Sequence, residues 1–371
     1  MNILMLVNWK IEYTEKVPEN KQPPDYYVPG HPYWFFKYFK KADKIHVDVV
    51  DIRSFSTLEK FEQHTLRFYV WQTLKCIPKL KKYDVILSHG MQSGIVLCLW
   101  RRLFGKGRYK HIVFDIGAFN SGREEGRALK LMQFASKSLD GVIYHTEIQK
   151  EYYAKCHPWL GNKAEFISFG TDSEYFARQR KSEERDTKKK DIEEKKAGRQ
   201  RYILCIGHNK RDWNTLIKAY GEIKTEINLR LIGNGEIKTE NPQIEVLDRV
   251  DVTELKDQIE NAYFCVLPLK SFRYSYGQMT LLQQMAMGKA VIVADVPSVS
   301  AYLREGAMLY YEPENKEMLK EKMQQLIEEP ELCEKLGREA EHVVRTKFNE
   351  KNMALEIEKM IEKYCGGHNE T

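Results

Sequence analysis

Short apolar segments alternate with segments of helical periodicity along the chain, and this alternation most constrains what the sequence can fold into. Strands are predicted where the apolar segments stand, at the N-terminal MNILMLV, at residues 45–52, 84–90, 111–119 and 140–146, and again from residue 202. Strands that alternate with helices form parallel sheets with helices on both faces. Ligands of such sheets bind beyond the carboxyl ends of the strands. The sequence therefore predicts an α/β fold whose functional residues follow the strands.

Length and composition fit a globular protein. The 371 residues are enough for two domains with complete cores, and 42% hydrophobic with 30% charged residues is ordinary for such a chain. No apolar run approaches the roughly 18 residues that span a bilayer, and the N-terminal segment lacks the features of a signal peptide. Seven scattered cysteines without a Cys-x-x-Cys pair indicate neither a disulfide framework nor a zinc site. We therefore expect a cytoplasmic protein.

The net charge of +6 is concentrated in one segment. Eleven Lys or Arg and six Asp or Glu lie between Ala177 and Arg201, which leaves the rest of the chain nearly neutral. This segment has no apolar period and is interpreted as a solvated linker over residues 177–200. Without a broad basic surface or a known nucleic-acid motif, no nucleic-acid partner is expected.

A helix start is predicted beside a strand end in the segment from Leu267 to Asp295. Ser275 and Gln278 have the spacing of a capping box, which predicts a helix that begins at Tyr276. The amides of a first helical turn attract phosphate, and Gly277 leaves room for a diphosphate to approach the backbone. The segment is interpreted as an anion site. The same pattern is also typical of an ordinary capped helix that binds nothing.

The first strand argues against one class of nucleotide enzyme. It is followed by a long polar and Pro-rich segment that contains no Gly-x-Gly-x-x-Gly. A dinucleotide-binding dehydrogenase needs that glycine turn directly after its first strand. A redox enzyme is therefore disfavoured.

The helix and strand LLQQMAMGKAVIVAD resemble those of retaining glycosyltransferases of family 4, where the usual run is close to EGFG-LPLLEAMA-GKPVI. Two family glutamates are replaced: Ser275 stands where the family holds the donor sugar or its phosphate, and Gln283 where it binds the nucleotide ribose. Gly277 is one place later than the family's first glycine. The residues that match as they stand are Leu281, Leu282, Met285, Ala286, Gly288, Lys289, Val291 and Ile292.

Two further segments carry the resemblance. EFISFGTDSEYF, residues 165–176, is similar to the segment that ends the family's N-terminal domain. RYILCIGHNKRDWNTLIKAY resembles the family's first C-terminal strand and its RDW-x-TLI variant, which implies that Lys210 and Arg211 contact the donor diphosphate. Fixed cations would stabilise the charge that develops on the leaving nucleoside diphosphate. The alternative is a basic pair on a solvated loop.

The resemblance implies a GT-B type α/β fold, with two doubly wound Rossmann-like parallel-sheet domains facing a cleft. Residues 1–176 would form the acceptor-side domain and residues 201–371 the nucleotide-sugar domain, whose last helix crosses back to the first domain. Catalytic roles are implied for Lys210 and Arg211. Donor binding is implied or proposed for Gly30, Gly207, Gly233, Ser275, Tyr276, Gly277, Gln278 and Gln283.

Three polar residues are candidates for the acceptor or sugar side. His89 and Asp115 stand at predicted strand ends, and His31 follows Gly30 before the aromatic segment WFFKYFKKA. A histidine at a strand end is more often a structural hydrogen-bonding group. For the aromatic residues 34–39 the alternatives are a helix packed on the sheet and an aromatic, basic membrane face.

The expected function is retaining transfer of a sugar from a UDP- or GDP-linked donor to a glycan, lipid or small-molecule acceptor. No Asp-x-Asp metal motif is present, so neither a metal nor another cofactor is expected. Basic and aromatic residues at 34–45, 66–82 and 101–110 predict weak peripheral contact with an anionic membrane, at its inner face. The alternatives are a nucleotide-sugar epimerase of the same fold and, because both motif glutamates are absent, a non-catalytic partner subunit.

Overall fold

The computed structural model describes residues 1–117, 119, 124–177, 201–208, 210–233, 235–304 and 306–365. The chain divides into two compact units. Unit 1 contains Met1–Phe169, Phe272–Tyr276 and the chain from Glu350 onward, and unit 2 contains Gly170–Ser271 and Gly277–Asn349. Residues 170–176 therefore group with unit 2, although the sequence suggested that they end the first domain. Apart from Ala177, the charged segment 177–200 lies outside the described residues.

Unit 1 is built on a six-stranded parallel sheet. Its strands are β1 (Asn2–Leu6), β2 (Glu12–Tyr13), β3 (Tyr26–Tyr27), β4 (His46–Val50), β5 (Val85–His89), β6 (Lys110–Asp115), β7 (Gly141–Tyr144) and β8 (Ala164–Phe166). The sheet order is β4-β1-β5-β6-β7-β8, and β2 pairs separately with β3. The central strands are buried along almost their whole length, as expected for a parallel sheet covered on both faces.

Helices cover this sheet. They are α1 (Ser56–Phe61), α2 (Val70–Cys76), α3 (Met91–Phe104), α4 (Arg127–Ser136) and α5 (Ile148–Cys156), with short 3₁₀ segments at Trp34–Tyr38, Ala42–Lys44, Ile77–Lys82 and Pro158–Leu160 and a π-helical turn at Glu62–Leu66. The C-terminal helix, Glu350–Cys365, packs its apolar residues Met353, Ile357 and Ile361 into the same core. The alternation of strands and helices predicted for this half of the chain is confirmed.

The aromatic segment that follows Pro32 does not form an extended helix. Trp34–Tyr38 is a single 3₁₀ segment, and the consecutive Trp34, Phe35 and Phe36 are all buried in the core of unit 1. Consecutive residues of an α-helix point in directions about 100° apart, so three buried neighbours suit a tight turn better than one helix face. The aromatic membrane face considered for residues 34–39 is therefore wrong, because these rings are already covered.

Unit 2 repeats the architecture. Its strands are β9 (Tyr202–Ile206), β10 (Asn228–Ile232), β11 (Ile244–Leu247), β12 (Cys265–Leu267), β13 (Val291–Ala294) and β14 (Leu309–Tyr311), in the parallel order β11-β10-β9-β12-β13-β14. Its helices are α6 (Trp213–Gly221), α7 (Val252–Asn261), α8 (Gln278–Ala286), α9 (Lys316–Glu328) and α10 (Pro330–Thr346), with a 3₁₀ segment at Ser300–Tyr302. The C-terminal helix of unit 1 is α11 (Glu350–Cys365). Among the described residues, no helix is long and apolar enough to span a membrane.

The strand order of unit 2 places two loops side by side. β9 and β12 are neighbours in the sheet, and each leads through a loop into a helix, α6 and α8 respectively. An antiparallel bridge between Arg211 and Leu269 joins the two loops, and the backbone N–H of Lys270 donates to the carbonyl of Lys210 at 3.1 Å. The carboxyl edge of this sheet is therefore where the predicted phosphate-binding residues meet.

Candidate functional site

The first turn of α8 begins two residues later than the sequence predicted. Gln278 is its first helical residue, and Gly277 precedes it in the left-handed conformation with φ of 84°. No side chain caps the helix, and the side-chain amide of the buried Gln278 donates to the carbonyl of Ser298. The predicted capping box of Ser275 and Gln278 is therefore wrong, because a left-handed Gly277 cannot lie inside a right-handed helix. The backbone amides of the first turn remain uncapped by side chains.

Arg211 brings a full positive charge to this helix start. Its side chain is buried, with 7% of the residue exposed. Its Nε donates to the carbonyl of Ile206 at 3.0 Å, and a terminal nitrogen donates to the hydroxyl of Thr280 at 3.3 Å. Thr280 lies in the first turn of α8, where the helix dipole also favours anions. The solvated-loop alternative for Arg211 is therefore wrong.

Two glycines make room for this arrangement. A Cβ on Gly207 would lie 2.4 Å from Nε of Arg211, so the guanidinium lies directly against the backbone at the end of β9. A Cβ on Gly233 would lie 2.7 Å from the carbonyl oxygen of Gly207. His208 adds a link between the two strand ends, because its Nδ1 donates to the carbonyl of Gly233 at 2.8 Å. A residue with a side chain at either glycine would displace the guanidinium or separate the strand ends.

Lys210 is electrostatically coupled to Arg211. Burial first, and the charge of Arg211 second, lower the pKa of its amine below the usual value. The positive charges of Lys210 and Arg211 repel each other, and an anion bound to both would offset this repulsion. The charge of that anion would raise the pKa of Lys210 again. The backbone of Lys210 has a φ of 61°, a conformation that costs a non-glycine residue energy and that tends to cluster at functional sites.

Gln283 lies one turn beyond Thr280 on α8, and residues at this spacing lie on neighbouring parts of the helix surface. It is 5% exposed, and the fully buried side-chain amide without a hydrogen-bond partner among the described residues is that of the neighbouring Gln284. A glutamine side chain carries both a donor and an acceptor, and Gln283 can offer either to a bound molecule at this helix surface.

The remaining predicted donor residues lie in unit 1. Gly30 has a φ of 81° and open space around it, so it is a turn residue. Ser275 and Tyr276 belong to the stretch 272–276, where the rings of Phe272, Tyr274 and Tyr276 form a cluster with centroids 5.3–5.7 Å apart. Arg273 forms an ion pair with Glu124 at 3.3 Å.

His89 is the best-defined candidate at the carboxyl edge of the unit 1 sheet. Its Nδ1 donates to Oδ1 of Asn8 at 3.1 Å, while the Asn8 amide nitrogen donates to Gln92 at 3.4 Å, which fixes the orientation of the asparagine. The Trp9 ring meets the imidazole edge to face at 4.7 Å. Burial first, and His145 second, lower the pKa of His89 to about 3, so its ring is neutral. His89 is half-buried, and its Nε2 is then a hydrogen-bond acceptor.

Asp115 is not an acceptor-side residue. It is fully buried, and its carboxylate accepts hydrogen bonds from Tyr153 at 2.5 Å, Gln149 at 2.8 Å and the backbone of Gly117 at 2.9 Å. Burial raises its pKa, and these donors oppose that shift. The prediction for Asp115 is therefore wrong, because the group holds the strand end together. His31 is exposed in the loop after Gly30.

Sequence reasoning missed two contributors, Thr280 and His208. Thr280 accepts from Arg211, and His208 links the glycine turns. Neither has a motif that would mark it, since a single Thr in a helix and a single His in a loop are common. In the part of the chain that the structure describes, no group of three or more His, Cys, Asp or Glu residues is placed to hold a metal ion.

Comparisons with known proteins agree with this geometry. Residues 200–329, which contain Arg211, α8 and their glycines, match the family model of glycosyl transferases group 1. This segment is similar to the group 1 glycosyl transferases. No curated protein sequence matches the chain.

Solved structures of similar fold cover nearly the whole chain. Sucrose-phosphate synthase from Thermosynechococcus elongatus has a TM-score of 0.69 at 14% identity, covering 99% of this chain and 100% of that one. HepE of Anabaena in complex with UDP has a TM-score of 0.67 at 11% identity, covering 98% and 100%. A glycosyltransferase from Rickettsia africae has a TM-score of 0.66 at 13% identity, covering 98% of each chain. The chain therefore has the predicted GT-B fold, and together with the match to group 1 glycosyl transferases this supports sugar transfer.

Proposed function

We propose that the protein is a retaining glycosyltransferase that uses a UDP- or GDP-linked sugar. The observation that carries the proposal is the buried Arg211 guanidinium, held between the Gly207 turn and the first turn of α8. A buried cation at a helix N-terminus is suited to a diphosphate. The HepE structures that contain UDP and UDP-glucose support a nucleotide-sugar ligand for this fold.

The proposed reaction requires the site to stabilise a leaving group. Cleavage of the glycosidic bond leaves negative charge on the nucleoside diphosphate, and preorganised donors around that charge lower the barrier. Arg211, Lys210 and the first-turn amides of α8 would supply this stabilisation without a metal ion. The resemblance to family 4 enzymes implies that no protein nucleophile is used and that the leaving phosphate takes the proton of the acceptor hydroxyl.

Gln283 would contact the nucleotide ribose. A family glutamate at this position accepts hydrogen bonds with a full charge, whereas the glutamine accepts through one oxygen and donates through its amide. Its place on α8 one turn beyond Thr280, which accepts from Arg211, supports a role in ligand binding. Because Glu is replaced here and at Ser275, a non-catalytic nucleotide-binding subunit is the second candidate.

On the acceptor side we propose His89. A neutral imidazole whose Nδ1 is already donated to Asn8 presents Nε2 as an acceptor for a substrate hydroxyl. Such a group suits a glycan, a lipid headgroup or a small molecule with a hydroxyl. We also propose that the protein works in the cytoplasm and makes weak peripheral contact with the inner face of an anionic membrane.

Ligand binding tests the proposal. UDP-, GDP- and ADP-sugars are screened by thermal shift, and UDP and GDP affinities are then measured by calorimetry for wild type, Arg211→Lys and Arg273→Ala. We expect UDP or GDP to bind wild type, Arg211→Lys to weaken binding by about 10-fold or more because lysine cannot reproduce the guanidinium geometry, and Arg273→Ala to bind as wild type. Absence of binding by any nucleotide would reject the proposal.

A further inference from the structure

The C-terminal end of α3 exposes an apolar and basic surface that the proposed chemistry does not use. Seven consecutive residues, Arg102–Arg108, are exposed and carry three cations and no acid. Leu103 is 70% exposed and Phe104 68%, the two highest values among the large apolar side chains of the described residues. Large exposed apolar side chains grouped together usually mark a contact surface.

The apolar residues continue onto both neighbouring elements. The Phe104 ring packs on Trp100 at 4.1 Å, and the Arg102 guanidinium lies over the Phe134 ring of α4 at 4.8 Å. Leu103 lies between Arg102 and Phe104 around the helix, pointing away from the buried Arg101. Phe134 is itself 42% exposed. We call the band formed by Trp100, Arg102, Leu103, Phe104 and Phe134 the α3 tip.

The α3 tip is held in a fixed shape. Arg101 is 3% exposed and forms an ion pair with Asp140 at 2.7 Å. Its Nε donates to the carbonyl of Lys106 at 3.0 Å, which anchors the loop after the helix. A Cβ on Gly107 would lie 2.8 Å from the Tyr109 ring, so the turn requires glycine. The exposed residues therefore lie on a loop that hydrogen bonds and packing hold in one conformation.

Cations flank the tip on both sides. Lys106 and Arg108 follow it, and the 3₁₀ segment Ile77–Lys82, which packs near Trp100, adds the exposed Lys79, Lys81 and Lys82. On the other side, α4 contains Arg127 and Lys130 and no acidic residue. Across the described residues, none of these side chains forms an ion pair. These cations are therefore not paired within the described part of the chain.

We propose that the α3 tip docks on an anionic phospholipid surface, with Leu103 and Phe104 entering the acyl boundary and the flanking cations meeting the headgroups. An anionic lipid surface takes both chemistries at once over such a band, because acyl chains accept the apolar side chains and headgroups accept the cations. A two-fold contact with a second copy would bring together two surfaces that both carry cations. This inference rests on the proposed membrane contact but is independent of sugar transfer.

The position of the tip matters for function. α3 leads from β5 to β6, so its end lies at the amino edge of the unit 1 sheet. His89 ends β5 and lies at the opposite, carboxyl edge. Docking through the tip therefore leaves the proposed acceptor residue open.

Vesicle sedimentation of the full chain tests the inference. Vesicles of phosphatidylcholine are compared with vesicles that also contain phosphatidylglycerol. The variants are Leu103→Ser/Phe104→Ser and Lys106→Ser/Arg108→Ser, and the control Phe55→Ser removes a phenylalanine that is 64% exposed and follows β4 at the carboxyl edge.

Wild type should bind only the anionic vesicles, and less at high salt. The apolar variant should lower the partition coefficient at least about 10-fold, and the charge variant about 30-fold, at about 5-fold per cation. Phe55→Ser should bind as wild type. All three variants should bind UDP as wild type does. Loss of vesicle binding with normal UDP binding therefore concerns the α3 tip alone, whereas absence of UDP binding by every protein would concern the proposed glycosyltransferase function.

Four results would overturn the inference. The first is wild type that sediments equally with both vesicle types or with neither. The second is an apolar variant that binds as well as Phe55→Ser. The third is self-association in sedimentation equilibrium without lipid that Leu103→Ser/Phe104→Ser abolishes, which would assign the tip to a contact between copies. The fourth is capture of an acidic protein with no vesicle binding, which would assign the tip to that partner.

Discussion

Replacing Arg211 with Ala should remove most of the catalytic advantage of the proposed donor site. The guanidinium is buried, bonds to the Ile206 carbonyl and the Thr280 hydroxyl, and lies against Gly207. Loss of one preorganised donor at a developing charge costs about 2–4 kcal/mol, or about 30- to 1,000-fold in kcat/KM. The loss should appear in kcat as well as in KM, because the diphosphate gains charge in the transition state.

The same substitution has a separate effect on stability. Removing the side chain leaves the Ile206 carbonyl without its donor, which costs about 1–3 kcal/mol for a buried group. Removing a buried charge from the free protein offsets part of this cost. We therefore expect Tm to fall modestly while the protein stays folded, which thermal unfolding by circular dichroism will show.

The assay is steady-state release of nucleoside diphosphate with the donor that binds best, together with calorimetry of UDP or GDP. Arg273→Ala is the matched control, because Arg273 is exposed and paired with Glu124. A folded Arg211→Ala protein with kcat/KM within about twofold of wild type would refute the assignment of Arg211 to the diphosphate.

Three further predictions concern the same site. Gln283→Glu should weaken UDP or GDP binding by about 10-fold, because it places a negative charge near the diphosphate; tighter binding in calorimetry would instead indicate a decayed site. Lys210→Met should weaken nucleotide binding and raise Tm at pH 7, because the pKa of Lys210 is lowered in the fold and its protonated form therefore opposes folding below that pKa. The gain in stability should stay below about 1 kcal/mol, since the amine is only half-buried, and it should vanish as pH rises towards the usual lysine pKa of 10.5. A Tm difference that is the same at pH 7 and at pH 10.5 would contradict this. Chelator should leave transfer unaffected; activity lost on chelation and restored by manganese would count against a metal-independent site.

Sequence reasoning located the donor loops because their signals are local. The strand, basic pair and helix start around Arg211 were located by the resemblance to the RDW-x-TLI variant, and in the structure Asp212 accepts from the backbone of Thr215 at 3.2 Å to cap α6. The start of α8 was misplaced because the capping-box pattern was satisfied in the sequence while Gly277 took a left-handed conformation. Both helix starts fit the same residues, and in the structure the Gln278 side chain donates to the carbonyl of Ser298 instead of forming a capping box.

The sequence does not show which polar residues of unit 1 are buried, and this limited the prediction of acceptor-side residues. Asp115 and His89 both follow apolar strands, so the sequence gives no reason to separate them. In the fold, the Asp115 carboxylate turns towards Tyr153 and Gln149, whereas His89 keeps a half-buried ring beside Trp9. The exposed α3 tip was equally hidden, because Leu103 and Phe104 continue an apolar helix pattern and their exposure depends on where α3 ends.

Turnover of nucleotide sugars tests the central claim most directly. Wild type is incubated with each UDP- and GDP-sugar, with and without a mixture of glycan and lipid acceptors, and released nucleoside diphosphate is measured. The account predicts that at least one donor is consumed, faster with acceptor, and that Arg211→Lys slows this release. A protein that binds UDP or GDP yet consumes no donor under any of these conditions would contradict the assignment as a glycosyltransferase and leave a non-catalytic nucleotide-binding protein.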